Sequence, residues 1–163
     1  MANTYKLIET KTLSSSQSSV EFTSIPQTYN DLLVKVSLRG DSTYDLFWIR
    51  FNGVSTNLSG KSLQGDGISV ASFSEAPYGR SLTSSYTANT FGSTDIYIPN
   101  YTSSKYKSIS IDSAAEQNAA GAYLTLGTGL WSSTSAITSI QFVPNGGNLV
   151  SGSTFYLYGI NNS

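Results

Sequence analysis

The chain has 163 residues, the length of one domain, and only 12% of them are charged, with 9 Lys and Arg against 10 Asp and Glu. It contains no His and no Cys, which excludes His-dependent catalytic triads, His metal sites, disulfides, zinc fingers and iron–sulfur clusters. We therefore expect a single domain over residues 1–163 that is not an enzyme and holds no cofactor or metal.

Hydrophobic residues recur at every second position along much of the chain, which is typical of half-buried antiparallel strands. These residues are mostly β-branched or aromatic, and such side chains suit a pleated surface. In chain order, the pattern predicts ten to twelve short strands, over about residues 5–13, 19–25, 32–39, 45–53, 57–64, 68–73, 94–98, 106–112, 122–127, 137–143 and 153–160.

Turn residues separate these strands, as at Asn52-Gly53 and in the GDG stretch at residues 65–67. Residues 77–90 show only weak periodicity and predict a long surface loop. The Ala-rich residues 113–121 end in Gly and fit one or two helical turns or an Ala-rich loop equally well. The strand spacing predicts an all-β fold, a single-domain antiparallel β-sandwich of jelly-roll type.

The densest aromatic stretch is YDLFWIRF, which overlaps the fourth predicted strand. Alternation places Phe47, Ile49 and Phe51 in the core, so Trp48 should point outward. A second buried layer or a covering loop is one explanation of Trp48, because large aromatic side chains are mostly buried. The other is a contact with a further subunit or partner, because Trp and Tyr anchor protein interfaces.

Several tyrosines also alternate with predicted core positions, and Arg39, Arg50 and Arg80 are the only arginines. Outward tyrosines suit a partner surface or the faces of sugar rings, whereas ordinary cross-strand pairing is the simpler explanation for each. The arginines fit either paired contacts with carboxylates across an interface or solvated strand positions. The candidate interface residues are Trp48, Arg50, Tyr97, Tyr101, Trp131, Tyr156 and Tyr158.

The acidic residues give little indication of chemistry. Asp41 with Asp45, and Asp112 with Glu116, are possible carboxylate pairs, but their spacing does not place them across a cleft as a glycosidase requires. Asp41 and Asp66 lie in Gly-containing turns, where Asp accepts hydrogen bonds from its own backbone. We assign no catalytic residue and find no Ca²⁺-binding loop spacing.

Three segments together carry a resemblance to a known family. The first is SIPQTYNDL (residues 24–32), followed by RFNG (50–53), and the second is YIPNYT (97–102). The third is GLWSSTSAITSI (129–140), with the ending SGSTFYLYGI (151–160). In these segments, and over nearly the whole chain, the sequence resembles a family of small virion structural proteins of tailed bacteriophages, common in marine and cyanobacterial phages.

The resemblance implies a β-sandwich displayed on the phage particle and no catalytic residue. The leading expectation is a capsid decoration (cement) protein that binds the major capsid protein or other virion proteins, with self-association as a trimer the first choice. The alternative is a tail-fibre or appendage module that binds cell-surface glycans. A free carbohydrate-binding or hydrolase accessory domain is a third possibility, which the lack of a signal, of a linker and of a fused catalytic domain disfavours.

The expected location is the virion, after assembly in the host cytoplasm. The first residues lack a secretory signal pattern, and no apolar run approaches the roughly 20 residues that span a bilayer, so we expect no membrane partner. A net charge of −1 also argues against nucleic acid, because phosphate binding needs clustered Lys and Arg.

Overall fold

The computed structural model describes residues 4–116 and 122–161, which form twelve strands and no helix. No helix in these residues is long and apolar enough to cross a bilayer. The strands are β1 (Tyr5–Thr12), β2 (Val20–Phe22), β3 (Asp31–Leu38), β4 (Leu46–Phe51), β5 (Leu58–Gly65), β6 (Val70–Glu75), β7 (Tyr78–Arg80), β8 (Gly92–Ile98), β9 (Lys107–Glu116), β10 (Ala122–Trp131), β11 (Ile140–Pro144) and β12 (Thr154–Ile160).

The strands form two antiparallel sheets, so the predicted all-β, sandwich-like architecture is confirmed. The large sheet has eight strands in the order β1-β12-β3-β8-β9-β10-β5-β6. The small sheet has four strands in the order β2-β11-β4-β7. Every strand predicted from alternation overlaps an observed one.

The core lies between the inner faces of the two sheets. From the large sheet, Leu32, Val34 and Val36 of β3 are almost fully buried, as the alternation predicts. From the small sheet, Phe47, Ile49 and Phe51 of β4 are buried in the same cluster. The aromatic rings pack edge-on or tilted against one another, with Phe142 of β11 contacting Phe22, Phe47 and Phe155 at centroid distances of 5.3 to 6.2 Å.

The prediction of a long surface loop over residues 77–90 is wrong at its start. Tyr78, Gly79 and Arg80 form β7 at the edge of the small sheet, and all three are buried. The strand pairs with β4, and the Tyr78 hydroxyl lies 2.7 Å from Ser62 Oγ on the large sheet. Polar side chains with distant partners replace the apolar alternation here, so the local sequence has no strand period.

The Ala-rich segment is neither helix nor loop where the structure describes it. Residues 113–116 continue β9, with Ser113 and Ala115 buried and Ala114 and Glu116 exposed. The pairing with β10 runs without interruption to Glu116 opposite Ala122, so tertiary pairing overrides the helix propensity of alanine. Residues 117–121, the rest of that prediction, lie outside the described residues.

Candidate interaction surfaces

The outer face of the large sheet carries a shallow depression built by four adjacent strands. Leu7, Tyr158, Leu33 and Tyr97 lie directly opposite one another in a row across β1, β12, β3 and β8. Their side chains point outward because the alternate residues of these strands fill the core. The depression has a volume of about 590 Å3, and we call it the tyrosine depression; it is lined by Tyr5, Leu33, Lys35, Asp95, Tyr97 and Tyr158.

Two polar contacts fix the side chains of the tyrosine depression. Lys35 and Asp95 are cross-strand partners, with Nζ and Oδ2 2.5 Å apart. The Tyr97 hydroxyl donates to Oδ2 of the buried Asp31 at 2.8 Å, and the Asn100 amide donates to Oδ1 of the same carboxylate. The hydrogen bond to Asp31 raises the pKa of Tyr97. Tyr97 is thus a neutral, oriented side chain beside one exposed ion pair.

The structure divides the exposed sequence candidates between two opposite faces. Tyr97 and Tyr158 line the tyrosine depression, and Tyr156 lies in the next row, opposite Lys35. Trp48 and Arg50 instead lie on the outer face of the small sheet. Trp48 is half-buried there, since its ring packs edge-on against Tyr78 at 6.2 Å. The large sheet therefore collects three of the candidates on one continuous surface.

Two of the interface candidates, Tyr101 and Trp131, are buried in the core and cannot contact a partner. Tyr101 has no exposed surface, and its hydroxyl donates to the carbonyl of Pro26. Trp131 is 2% exposed, packs against Phe51 at 5.6 Å, and has Lys107 Nζ 5.5 Å from its ring centroid. Trp131 lies on the inward face of β10 together with Thr125, so its burial follows from the alternation of inward and outward residues along that strand.

A second apolar surface on the large sheet was missed by the sequence reasoning. Leu63 of β5 and Leu126 of β10 lie directly opposite each other and are 51% and 54% exposed. We call this surface the leucine patch; it consists of Leu63, Ile68, Val70, Leu124 and Leu126. In the sequence, Leu124 and Leu126 alternate with Thr125 and Gly127. In the structure, Thr125 and Gly127 face inward and the two leucines face outward.

Arg80 and Arg39 make internal contacts and are not solvated strand residues. Arg80 is 7% exposed, its Nη1 lies 2.6 Å from Asp45 Oδ2, and its guanidinium lies 4.4 Å from the ring centroid of Tyr123. Arg39 donates to the carbonyls of Tyr86, Thr87 and Thr90. Arg39 therefore holds the connection between β7 and β8 in place, and Arg80 links β7 to Asp45 and to β10. Arg50 is left as the arginine on an outer face.

Of the two turn aspartates, only Asp66 accepts hydrogen bonds from its own turn as predicted, because the partner of Asp41 is Asn148, which is distant in sequence. Asp41 accepts hydrogen bonds from the main-chain and side-chain nitrogens of Asn148, at 2.7 and 3.1 Å. Asp66 accepts from the amides of Ile68 and Ser69, and these bonds lower the pKa of Asp66. Within residues 4–116 and 122–161, no group of three or more acidic side chains lies close enough together to hold a metal ion.

Comparison of the chain with protein-family models, with curated protein sequences and with solved structures found no match. The function of the chain is therefore inferred from the surfaces described above.

Proposed function

We propose that this protein is a non-enzymatic structural protein of a tailed-bacteriophage virion, most simply a capsid decoration protein that binds and stabilises the assembled head. The observation that carries the proposal is the outer face of the large sheet, where the tyrosine depression and the leucine patch leave large side chains uncovered. Contiguous exposed apolar surface is uncommon on monomeric proteins and marks sites of protein contact.

The strand order supports a jelly-roll assignment. The sets β1-β12-β3-β8 and β2-β11-β4-β7 have the two-sheet, four-strand nesting of a jelly roll. The hairpins β5-β6 and β9-β10 then extend the first set into the eight-stranded sheet. Jelly rolls occur in viral capsid and lectin domains, so the assignment agrees with both a decoration role and a glycan-binding role without choosing between them.

Decoration would depend on the surface area that the protein buries against the capsid shell, and not on chemistry. Tyrosines held on a rigid sheet lose little side-chain entropy on contact and bury a large surface each. The partners are the major capsid protein or other virion proteins, on the particle surface, with neither nucleic acid nor membrane involved. Self-association would multiply weak contacts with neighbouring capsomers into a strong attachment.

Co-sedimentation with capsid shells prepared without this protein tests the proposal. We expect saturable binding at a fixed ratio to the major capsid protein. Tyr158→Ala should weaken that binding about tenfold or more, because it empties the centre of the tyrosine depression. Trp48→Ala tests the opposite face, and Tyr106→Ala is the matched control, since Tyr106 is 60% exposed but lies outside the depression. Absence of binding to shells would reject decoration.

A tail-fibre or appendage module that binds cell-surface glycans is the second candidate. Its support is the composition of the tyrosine depression, where three tyrosines surround the Lys35–Asp95 pair. Aromatic rings beside a few oriented polar groups are the usual lining of a small-ligand site. Glycan-array binding that Tyr158→Ala abolishes, together with no shell binding, would select this function over decoration.

A further inference from the structure

The two sheets have four edge strands, and the structure protects three of them. An unprotected edge presents unpaired backbone groups that can pair with another strand. The small-sheet edges, β2 and β7, are only three residues long each. The large-sheet edge β1 carries Lys6, Glu9 and Lys11, and its register shifts between Leu7 and Glu9. Charges and bulges of this kind discourage pairing with a further strand.

The fourth edge, β6, has none of these protections. It is six residues long and pairs with β5 in unbroken register. It contains no Lys and no Pro, and its one charged residue, Glu75, is the last of the strand. Its side chains are almost all exposed, including Phe73 at 41% and Val70 at 71%. No strand in the described part of the chain pairs with the other side of β6.

The surface beside this edge is apolar as well. Leu63 of the leucine patch lies directly opposite Ser72 of β6, and Val70 belongs to both the edge and the patch. Both features are carried by the strands β10, β5 and β6 at one end of the large sheet. A protein that exposes an apolar face next to an open strand edge presents a template for sheet extension.

We propose that β6 is a self-association site, at which a second copy of this chain adds its own β6 in antiparallel register about a two-fold axis through Ser72. This register places Ala71 opposite Phe73 of the second copy and Val70 opposite Ser74 of the second copy. Glu75 then lies opposite Ser69, so no like charges meet across the axis. The same surface serves both subunits, as a two-fold interface requires.

A second copy is the occupant that the chain's own residues favour. An antiparallel strand is complementary to itself in hydrogen bonding, and this register adds an apolar Ala–Phe contact on the inner face. Self-pairing of β1, by contrast, would bring together a strand with three charged residues. The inference goes beyond the proposed function, because it concerns the purified chain alone and holds whether the bound partner is a capsid shell or a glycan.

Sedimentation equilibrium of the full chain across the micromolar range tests the inference. We expect a monomer–dimer equilibrium. Ser72→Lys and Ser72→Glu each place like charges opposite each other at the axis, and each should raise the dimer Kd about fivefold or more. An equimolar mixture of the two variants should recover dimer, because opposite charges face each other across the axis only in the mixed pair.

Ser110→Lys is the matched control. Ser110 is exposed on the same outer face but lies on the central strand β9, so its charge should leave the dimer Kd unchanged. Ser72 is exposed, and thermal unfolding of each variant should match that of the unmodified chain. A chain that stays monomeric, a trimer, a dimer insensitive to both Ser72 substitutions, or a dimer broken by Ser110→Lys would each overturn the inference, and none of these results depends on shell binding.

Discussion

Lys107 is a buried ammonium group that joins two loops at one end of the sheets. Lys107 is only 1% exposed, and its Nζ donates to the carbonyls of Ser103, Ser133 and Ser135 at 2.7, 3.3 and 2.5 Å. Burial lowers the pKa of Lys107. Three carbonyl acceptors and the ring of Trp131 nevertheless surround the charge, so the group is satisfied without a carboxylate.

Replacing this lysine should therefore destabilise the fold. We expect Lys107→Met to reduce the free energy of unfolding by about 2–4 kcal/mol, because three carbonyls lose their donor while the methylene packing remains. Urea denaturation followed by Trp fluorescence measures the change. Lys105→Met is the control, since Lys105 is exposed in the same loop and its loss should cost less than about 0.5 kcal/mol. Equal stabilities for the two variants would contradict this account of Lys107.

At the scale of the element, β7 depends on a glycine. Gly79 lies against the ring of Phe47, its cross-strand partner, and a Cβ at this position would lie 2.3 Å from Phe47 Cζ. Because the Phe47 ring is fully buried in the core, it has little room to move away. The close approach of backbone to ring is what lets this short strand complete the small sheet.

We expect Gly79→Ala to lower the free energy of unfolding by about 1–3 kcal/mol through overpacking against Phe47. Differential scanning calorimetry of the purified variant measures the effect as a lower Tm. Gly65→Ala is the matched strand control, because the nearest atom to its added Cβ would be Ser69 O at 3.9 Å. A Gly79→Ala protein as stable as Gly65→Ala would mean that the Phe47 ring shifts freely.

Most strands could be predicted from the sequence, because one apolar face of each produces a period of two. The exceptions have physical reasons. Tyr78 and Arg80 of β7 are buried through Ser62 and Asp45, which are distant in sequence, so no local pattern marks the strand. The alanines of residues 113–116 favour a helix, but their small side chains also fit a strand. Pairing with β10 makes this segment part of β9.

The candidate surfaces could be predicted only where the sequence shows clearly which residues of a strand face inward and which face outward. Tyr97 and Tyr158 flank well-defined core residues, and alternation places both outside. Tyr101 follows the end of β8, where alternation no longer applies, and it turns into the core. The leucine patch was missed because leucine is ordinarily an inward residue, whereas in β10 the inward positions include Gly129, which packs closely against Ile109 and Pro77.

At the scale of the whole molecule, the absence of His and Cys should make stability insensitive to pH near neutrality. These are the side chains whose ordinary pKa values lie closest to neutral pH. Above that range, burial raises the pKa of Tyr101 and of Tyr86, and the bond to Asp31 raises the pKa of Tyr97. The folded state then keeps protons that the unfolded chain releases, so stability falls as pH rises.

We therefore expect the free energy of unfolding to stay nearly constant between about pH 6 and 8.5 and to decrease above about pH 10. The lowered pKa of Lys107 acts in the opposite direction and reduces the slope. Urea titrations at a series of pH values measure the profile, and Tyr97→Phe should make the alkaline decrease shallower. An increase in stability above pH 10 would show that the lysine outweighs the tyrosines.

The position of β12 between β1 and β3 determines when the large sheet can form. Tyr5 pairs with Ile160, and Val36 pairs with Phe155, so until β12 has been synthesised β1 has no partner strand and β3 is paired only with β8. Until then, the edges of β1 and β3 that pair with β12 in the finished large sheet remain open. Folding is thus a late event dominated by contacts distant in sequence, which are slow to form. A ribosome that stalls before residue 154 releases a chain prone to aggregation.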